Sequence, residues 1–227
     1  MIHEDGRIAV LEKPSGVPVI PDRSRAFPSC LGFMICRELA DRATKEAARF
    51  IRPRVVHRID RLTSGLVILA RTPEAEGELS GLFERGGIRK EYLAILAGEV
   101  SPAKVTVDVP VGEGRKGRMR AGPEGKPSLT EFVVLERLRG FTLVRALPRT
   151  WRTHQIRVHA WVMGHPLAVD PLYRVGASSG APPAGIRRLT LHAERLILPE
   201  AWGEPREFHA PLPEDFREAL EALRSRT

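Results

Sequence analysis

The stretch His57-Arg58-Ile59-Asp60-Arg61-Leu62-Thr63-Ser64 sets one carboxylate between two arginines. A polar Thr-Ser-Gly turn then leads directly into the apolar run Leu66-Val67-Ile68-Leu69-Ala70. An aspartate held against cationic side chains at the mouth of a buried strand stays ionised near neutral pH, which suits a nucleophile or a base better than an acid. Two readings of Asp60 stay open on this segment alone: a catalytic carboxylate, and a structural or solvated ion pair with Arg58 and Arg61. The protein-kinase catalytic loop also begins His-Arg and carries an Asp, but here Ile59 intervenes and no Asn follows at the kinase interval.

The densest polar cluster is Arg149-Thr150-Trp151-Arg152-Thr153-His154-Gln155-Ile156-Arg157-Val158-His159. A helix is predicted from about Gln155 to Met163, with the Thr153 hydroxyl as its cap. Arg157 would then share a face with Thr153, and its guanidinium could reach a carboxylate brought from elsewhere in the chain. His154 and His159 are five residues apart and do not share a helix face, so zinc is not expected. Lys90-Glu91-Tyr92 reads as strand, with Lys90 and Tyr92 on one side; Tyr92 is open to a packing role or a functional one. Gly112 to Arg120 matches GxGxxG literally, yet Gly122, Pro123, Gly125 and Pro127 forbid the helix that would hold a pyrophosphate. A flexible cationic loop touching phosphates through Arg115, Lys116 and Arg118 and an ordinary solvated hairpin are both open.

These groups need elements to hold them. Ile8 to Leu11 is a short strand running into the turn Lys13-Pro14-Ser15-Gly16. Ser29 to about Phe50 has helical spacing, with Cys30 and Cys36 as two buried small side chains. Pro73 to Phe83 is a second helix. Strands are predicted at Glu91–Leu96, Val105–Val111, Thr130–Leu138 and Phe141–Pro148. After Pro211-Leu212-Pro213 comes a terminal helix with Phe216, Leu220 and Leu223 inward. Strands outnumber helices and do not alternate with them, so the fold class is α+β rather than doubly wound.

The 227 residues suffice for one large domain or two small ones. Lys+Arg 36 against Asp+Glu 28 gives a net charge of +8, a folded basic protein suited to a polyanionic partner rather than a polycationic tail. The N-terminus lacks a signal pattern and no apolar run approaches a membrane span, so a soluble, cytoplasmic protein without membrane association is expected.

Taken in order, these segments resemble the RluA-type pseudouridine synthases, which isomerise uridines in ribosomal and transfer RNA. Ile8 to Val19 is similar to the family's opening strand and KPxG turn. His57 to Arg71 resembles HRLDxxTSGLLLLAR, and Lys90 to Ala94 resembles KxYLA. Gly125 to Thr130 resembles GKxAxT, Arg152 to His159 RTHQIRVH, and Gly164 to Tyr173 GHPIxGDxxYG. Leu191-His192-Ala193 and Phe208 to Pro213 resemble its last strand and exit. Trp151 and Val169 stand where Gly is usual.

The resemblance implies a single catalytic domain over 1–227, with no separate N-terminal RNA-binding domain. Its mixed, mainly antiparallel central sheet would lie in two abutting halves flanked by helices, with a catalytic cleft. It implies an isomerase that breaks the uridine N1–C1′ bond, turns the uracil and joins C5 to C1′, with no cofactor and no metal. By carry-over, Asp60 is the nucleophile or base, whether it attacks C1′ or C6 or assists a glycal route. Arg157 pairs with that carboxylate, and Tyr92 packs on the target base. Arg58 fills the space left by the flipped uracil. Arg61, Thr63, Lys90, Arg152, His154, Arg115, Lys116 and Arg118 contact RNA. The partner is RNA, and the expected state is a monomer. A non-catalytic RNA-binding protein is disfavoured because Asp60, Tyr92 and Arg157 are all kept. A hydrolase pairing Asp60 with His57 or His154 is disfavoured because the chain lacks a GxSxG elbow, paired carboxylates or metal spacing.

Overall fold

The structure, a computed structural model, describes residues 1–21, 30–32, 34, 54–174, 186–202 and 206–225. The predicted helix Ser29–Phe50 falls outside these residues except for a few positions at its start, and so does Cys36; Cys30 is buried. The chain forms two compact units, residues 1–88 with 195–210, and residues 89–194 with 211–227.

In the first unit, β1 (His3–Glu4), β2 (Ile8–Lys13), β3 (Arg54–Val55) and β4 (Ser64–Ala70) pair antiparallel. Strand β2 runs against β4 from Ile8 opposite Ala70 to Lys13 opposite Gly65. Every residue of β4 is buried, as a continuous apolar run without alternation requires. Helix α1 (Pro73–Glu84) covers it, starting where Thr72 accepts a hydrogen bond from the Ala75 amide at 3.1 Å and Pro73 supplies a preset φ. Leu79, Leu82 and Phe83 of α1 enter the core with Ile8, Val10, Leu66 and Ile68.

The second unit is built on an antiparallel set in the order β5 (Arg89–Ala97), β10 (Phe141–Pro148), β9 (Leu129–Leu138), β6 (Lys104–Asp108). A separate hairpin pairs β7 (Val111–Glu113) with β8 (Met119–Ala121). Helix α2 (Gln155–Val162) and helix α3 (Glu214–Arg224) complete it. Phe216, Ala219, Leu220 and Leu223 of α3 pack with Ile95, Leu138, Phe141 and Leu143. Strand β11 (Leu191–Leu198) carries the chain back into the first unit at Arg195, where it pairs with β12 (Arg206–His209). The α+β class and the mainly antiparallel sheet agree with the sequence.

One local expectation changes, and of two open readings the structure shows the hairpin. The alternating valines of 105–111 do not form one strand. Pro110 has no N–H, so β6 ends at Asp108 and the chain changes partner before β7. The Gly-rich stretch is an ordered hairpin. A Cβ on Gly125 would stand 2.6–2.8 Å from the backbone of Val111 and Gly112, so close approach of two backbone segments explains that glycine.

Candidate active site

The first unit holds the Asp60 segment as a loop before β4. Asp60 is half-buried, Arg58 and Arg61 are exposed, and Ile59 between them is buried. The Thr63 amide donates to the Asp60 carbonyl at 3.0 Å and closes the turn. The Thr63 side chain is 1 % exposed and its hydroxyl has no hydrogen-bond partner among the described residues.

The loop backbone is held from β2. Lys13 is fully buried at 0 % exposure, and its Nζ donates to the carbonyls of Pro14 (2.9 Å), Val17 (2.7 Å) and Arg61 (3.0 Å). Ser15 Oγ donates to Leu62 O at 2.7 Å, and the Gly16 amide to Arg61 O at 2.8 Å. Three donors of one turn thus fix the carbonyls that follow Asp60. The sequence pattern alone gives only a turn here; the signal is a lysine that follows the apolar run Ile8–Leu11 within the same strand. His57 Nε2 accepts from the Ile68 amide at 2.9 Å, and its ring stacks on Phe83. That nitrogen carries no proton and anchors β4, which argues against His57 as a hydrolase base.

The second unit carries the remaining candidates. Lys90 and Tyr92 alternate with Glu91 on β5, both buried, as period two requires. Lys90 Nζ lies 3.6 Å from the centre of the Trp151 ring. Burial pushes the Lys90 ammonium down to about 7.

Thr153 does not cap α2. It is exposed, and the N-cap position is His154, in the left-handed region at φ 57° without a capping side chain. Gln155 organises the turn instead. Its Oε1 accepts from Thr150 Oγ1 (2.9 Å) and the Arg152 amide (3.0 Å), and its Nε2 donates to Leu129 O (3.0 Å) and Thr130 Oγ1 (3.0 Å). All four hydrogen-bonding sites of the buried amide are thereby used. A long amide reaching back to β9 outcompetes a short hydroxyl that can serve only its own helix.

Arg157 is buried in α2 and binds Asp170 through two parallel bonds, Nε to Oδ2 and Nη2 to Oδ1, each 2.8 Å. The side chains are 3 % and 0 % exposed. Asp170 Oδ1 also accepts from the amides of Leu172 (2.8 Å) and Tyr173 (3.2 Å). Asp170, from the Gly164–Tyr173 segment, is thus one carboxylate brought to Arg157 from elsewhere in the chain. His154 Nδ1 lies 2.9 Å from Tyr173 Oη. His159 is fully buried, with Nδ1 at Thr130 Oγ1 and Nε2 at Val109 O, both 2.9 Å; burial pushes its imidazole below the usual histidine range, against the hydrogen bond to Val109. The two histidines are engaged separately, and no cluster able to hold a metal occurs among the described residues.

Arg115, Lys116 and Arg118 are exposed at the tip of the β7–β8 hairpin, closed by the Gly114 amide on Arg118 O at 2.8 Å. Arg152 is half-buried beside Trp151. No helix of the described residues is long and apolar enough to cross a membrane.

Both units thus present arginines and lysines around a small number of buried, hydrogen-bonded polar groups. Residues 7–161 match the family described as RNA pseudouridylate synthase, and the chain belongs to it; such enzymes are isomerases. Over 230 residues it is 36% identical to ribosomal large subunit pseudouridine synthase C of Vibrio vulnificus, covering 99% of this chain and 69% of that protein. Ribosomal large subunit pseudouridine synthase D of Nitrosomonas europaea is 32% identical over 231 residues, covering 99% of this chain and 65% of the relative. Among solved structures, human RNA pseudouridylate synthase domain containing 4 superposes with a TM-score of 0.78 at 26% identity, covering 98% of this chain and 92% of the other.

Proposed function

We propose that this protein converts specific uridines of large-subunit ribosomal RNA to pseudouridine, with Asp60 as the nucleophile. The observation that carries the reading is the Asp60 loop itself: a half-buried carboxylate flanked by exposed arginines, on a backbone fixed by Lys13, Ser15 and Gly16. Rigid placement of an attacking group lowers the barrier by removing the cost of orienting it. In the proposed sequence the Asp60 carboxylate displaces N1 from C1′, the uracil rotates within the site, C5 displaces Asp60 from C1′, and the C5 proton leaves as N1 takes one up. Atoms and electrons balance without an oxidant, metal or cofactor.

Tyr92 packs on the target uracil in this reading, and Arg157 supplies the cation that the carboxylate chemistry needs. Arg58 occupies the space of the extruded base, whose unstacking costs a few kcal/mol and least in a loop. Arg61, Arg152, His154, Arg115, Lys116 and Arg118 contact the RNA, the charged ones mainly at phosphate, while the buried Thr63 and Lys90 lie beneath that surface. Ribosomal RNA is favoured over transfer RNA because both curated relatives are named for the large ribosomal subunit. The two compact units act as one catalytic domain, the enzyme works as a monomer, and its place is the cytoplasm, where ribosomal RNA is modified. The test is to incubate the purified protein with total RNA from a strain lacking its gene and to map pseudouridine chemically. A new site in the large-subunit RNA is expected; no new site in any RNA would overturn the reading.

A further inference from the structure

Tyr173 has no part in the chemistry above, yet it joins three elements of the second unit. Its ring is buried, and the Met119 amide donates to its hydroxyl at 2.8 Å. The same hydroxyl lies 3.3 Å from Met119 O and 2.9 Å from His154 Nδ1. A hydroxyl has one proton to give and two lone pairs to offer, so all three contacts are satisfied together when His154 carries its proton on Nδ1. Met119 opens β8, the strand that returns from the Arg115–Arg118 tip. His154 sits at the start of α2, in a left-handed conformation that is strained for a histidine and persists only where contacts over-determine it. The ring of Tyr173 lies 5.1 Å from the Arg157 guanidinium carbon, and its own amide binds Asp170, the carboxylate that holds Arg157. Val111, Val158 and Tyr173 form a small apolar cluster that Met119, Ala121 and Leu172 join, so the hairpin shares this cluster with α2 and Tyr173.

We propose that Tyr173 is a positioning residue that fixes the cationic hairpin onto the helix carrying Arg157, so that RNA held at the hairpin tip is held in register with that helix. The inference rests on the functional reading above and adds a residue that touches neither the target base nor the phosphates.

The test is Tyr173→Phe, which keeps the ring and the amide bond to Asp170 and removes the three hydroxyl contacts. In the free protein, hydrogen exchange of the Met119 amide should accelerate at least tenfold. With a large-subunit rRNA transcript, affinity should fall about tenfold, equivalent to ~1.4 kcal/mol. The slope of log K against log salt should shrink by about two, as hairpin cations drop out of the interface. In a background of Arg115→Ala, Lys116→Ala and Arg118→Ala the same substitution should change affinity less than twofold, which a general weakening of the fold would not reproduce. Unchanged exchange at Met119, or an equal loss of affinity in both backgrounds, overturns the proposal. If the intact protein binds the transcript but forms no pseudouridine, the functional reading fails and these outcomes still decide the tie. No affinity for the transcript overturns both.

Discussion

Asp170→Asn is the sharpest single perturbation of the buried pair in the second unit. The substitution is nearly isosteric, yet it replaces one acceptor oxygen of a carboxylate that takes four hydrogen bonds, two from Arg157 and one each from the amides of Leu172 and Tyr173. The amide can keep its oxygen toward the two backbone donors, which then turns its NH2 group toward the Arg157 Nε donor. With side chains 3 % and 0 % exposed, solvent cannot compensate the guanidinium. Removing one partner of a buried ion pair costs about 3–5 kcal/mol, because the other charge is left buried. For a chain of this size each kcal/mol moves the melting temperature by roughly 2–4 °C, so the midpoint should fall by about 6–20 °C. Urea denaturation should give the loss directly as a lower midpoint at constant slope. Arg157→Met combined with Asp170→Leu should recover most of that stability while leaving the enzyme without activity, since the cation is gone. A loss below about 1 kcal/mol for Asp170→Asn would refute the claim that this pair is a desolvated structural charge.

The other predictions concern the loop, the strand and the hairpin. Lys13→Met takes the ammonium from the carbonyls of Pro14 and Val17, at ~1 kcal/mol or more each, and leaves Arg61 O with only the Gly16 amide, which loosens the Arg61 end of the Asp60 loop; kcat should drop at least tenfold with KM for RNA changing less than threefold. Lys90 has its folded value lowered to about 7 from the ordinary 10.5 by burial, so the unfolded chain binds more protons between those values and stability should rise with pH across that window, by at most ~1.4 kcal/mol per unit. Below about pH 7 both states are charged and the penalty is complete; urea midpoints at pH 7, 8 and 9 should show the rise in the native protein and its absence in Lys90→Met. Gly125→Ala pushes a methyl into backbone 2.6–2.8 Å away and should displace the β7–β8 hairpin, lowering the salt dependence of RNA binding without unfolding the sheet, as circular dichroism would report.

What was legible in the sequence was local. Phe141–Pro148, Pro73 to the end of α1 and the inward face of α3 follow from short-range periodicity and breakers, and they form within a residue or so of expectation. The Val105–Val111 break was written in Pro110, but the valine alternation on either side masked it. What was not legible depends on pairs far apart in sequence. Thr153 looked like a cap because caps are local, whereas Gln155 wins by reaching Leu129 and Thr130 on β9. Asp170 lies outside the helix that bears Arg157, so no spacing rule connects them. Lys13 reads only as a turn residue, since nothing local says that three carbonyls surround its ammonium. At the candidate site the residue types were visible, while the groups that hold them still were not.

The central claim is that Asp60 is the nucleophile of a uridine isomerase. Single-turnover conversion of the large-subunit rRNA site, compared between the intact protein and Asp60→Asn, tests it most directly. Asp60→Asn should keep RNA affinity within a fewfold of the intact protein and lose at least 10³ in the rate of pseudouridine formation, since the amide cannot serve as the attacking carboxylate. Conversion by Asp60→Asn at a rate within tenfold of the intact protein would contradict it.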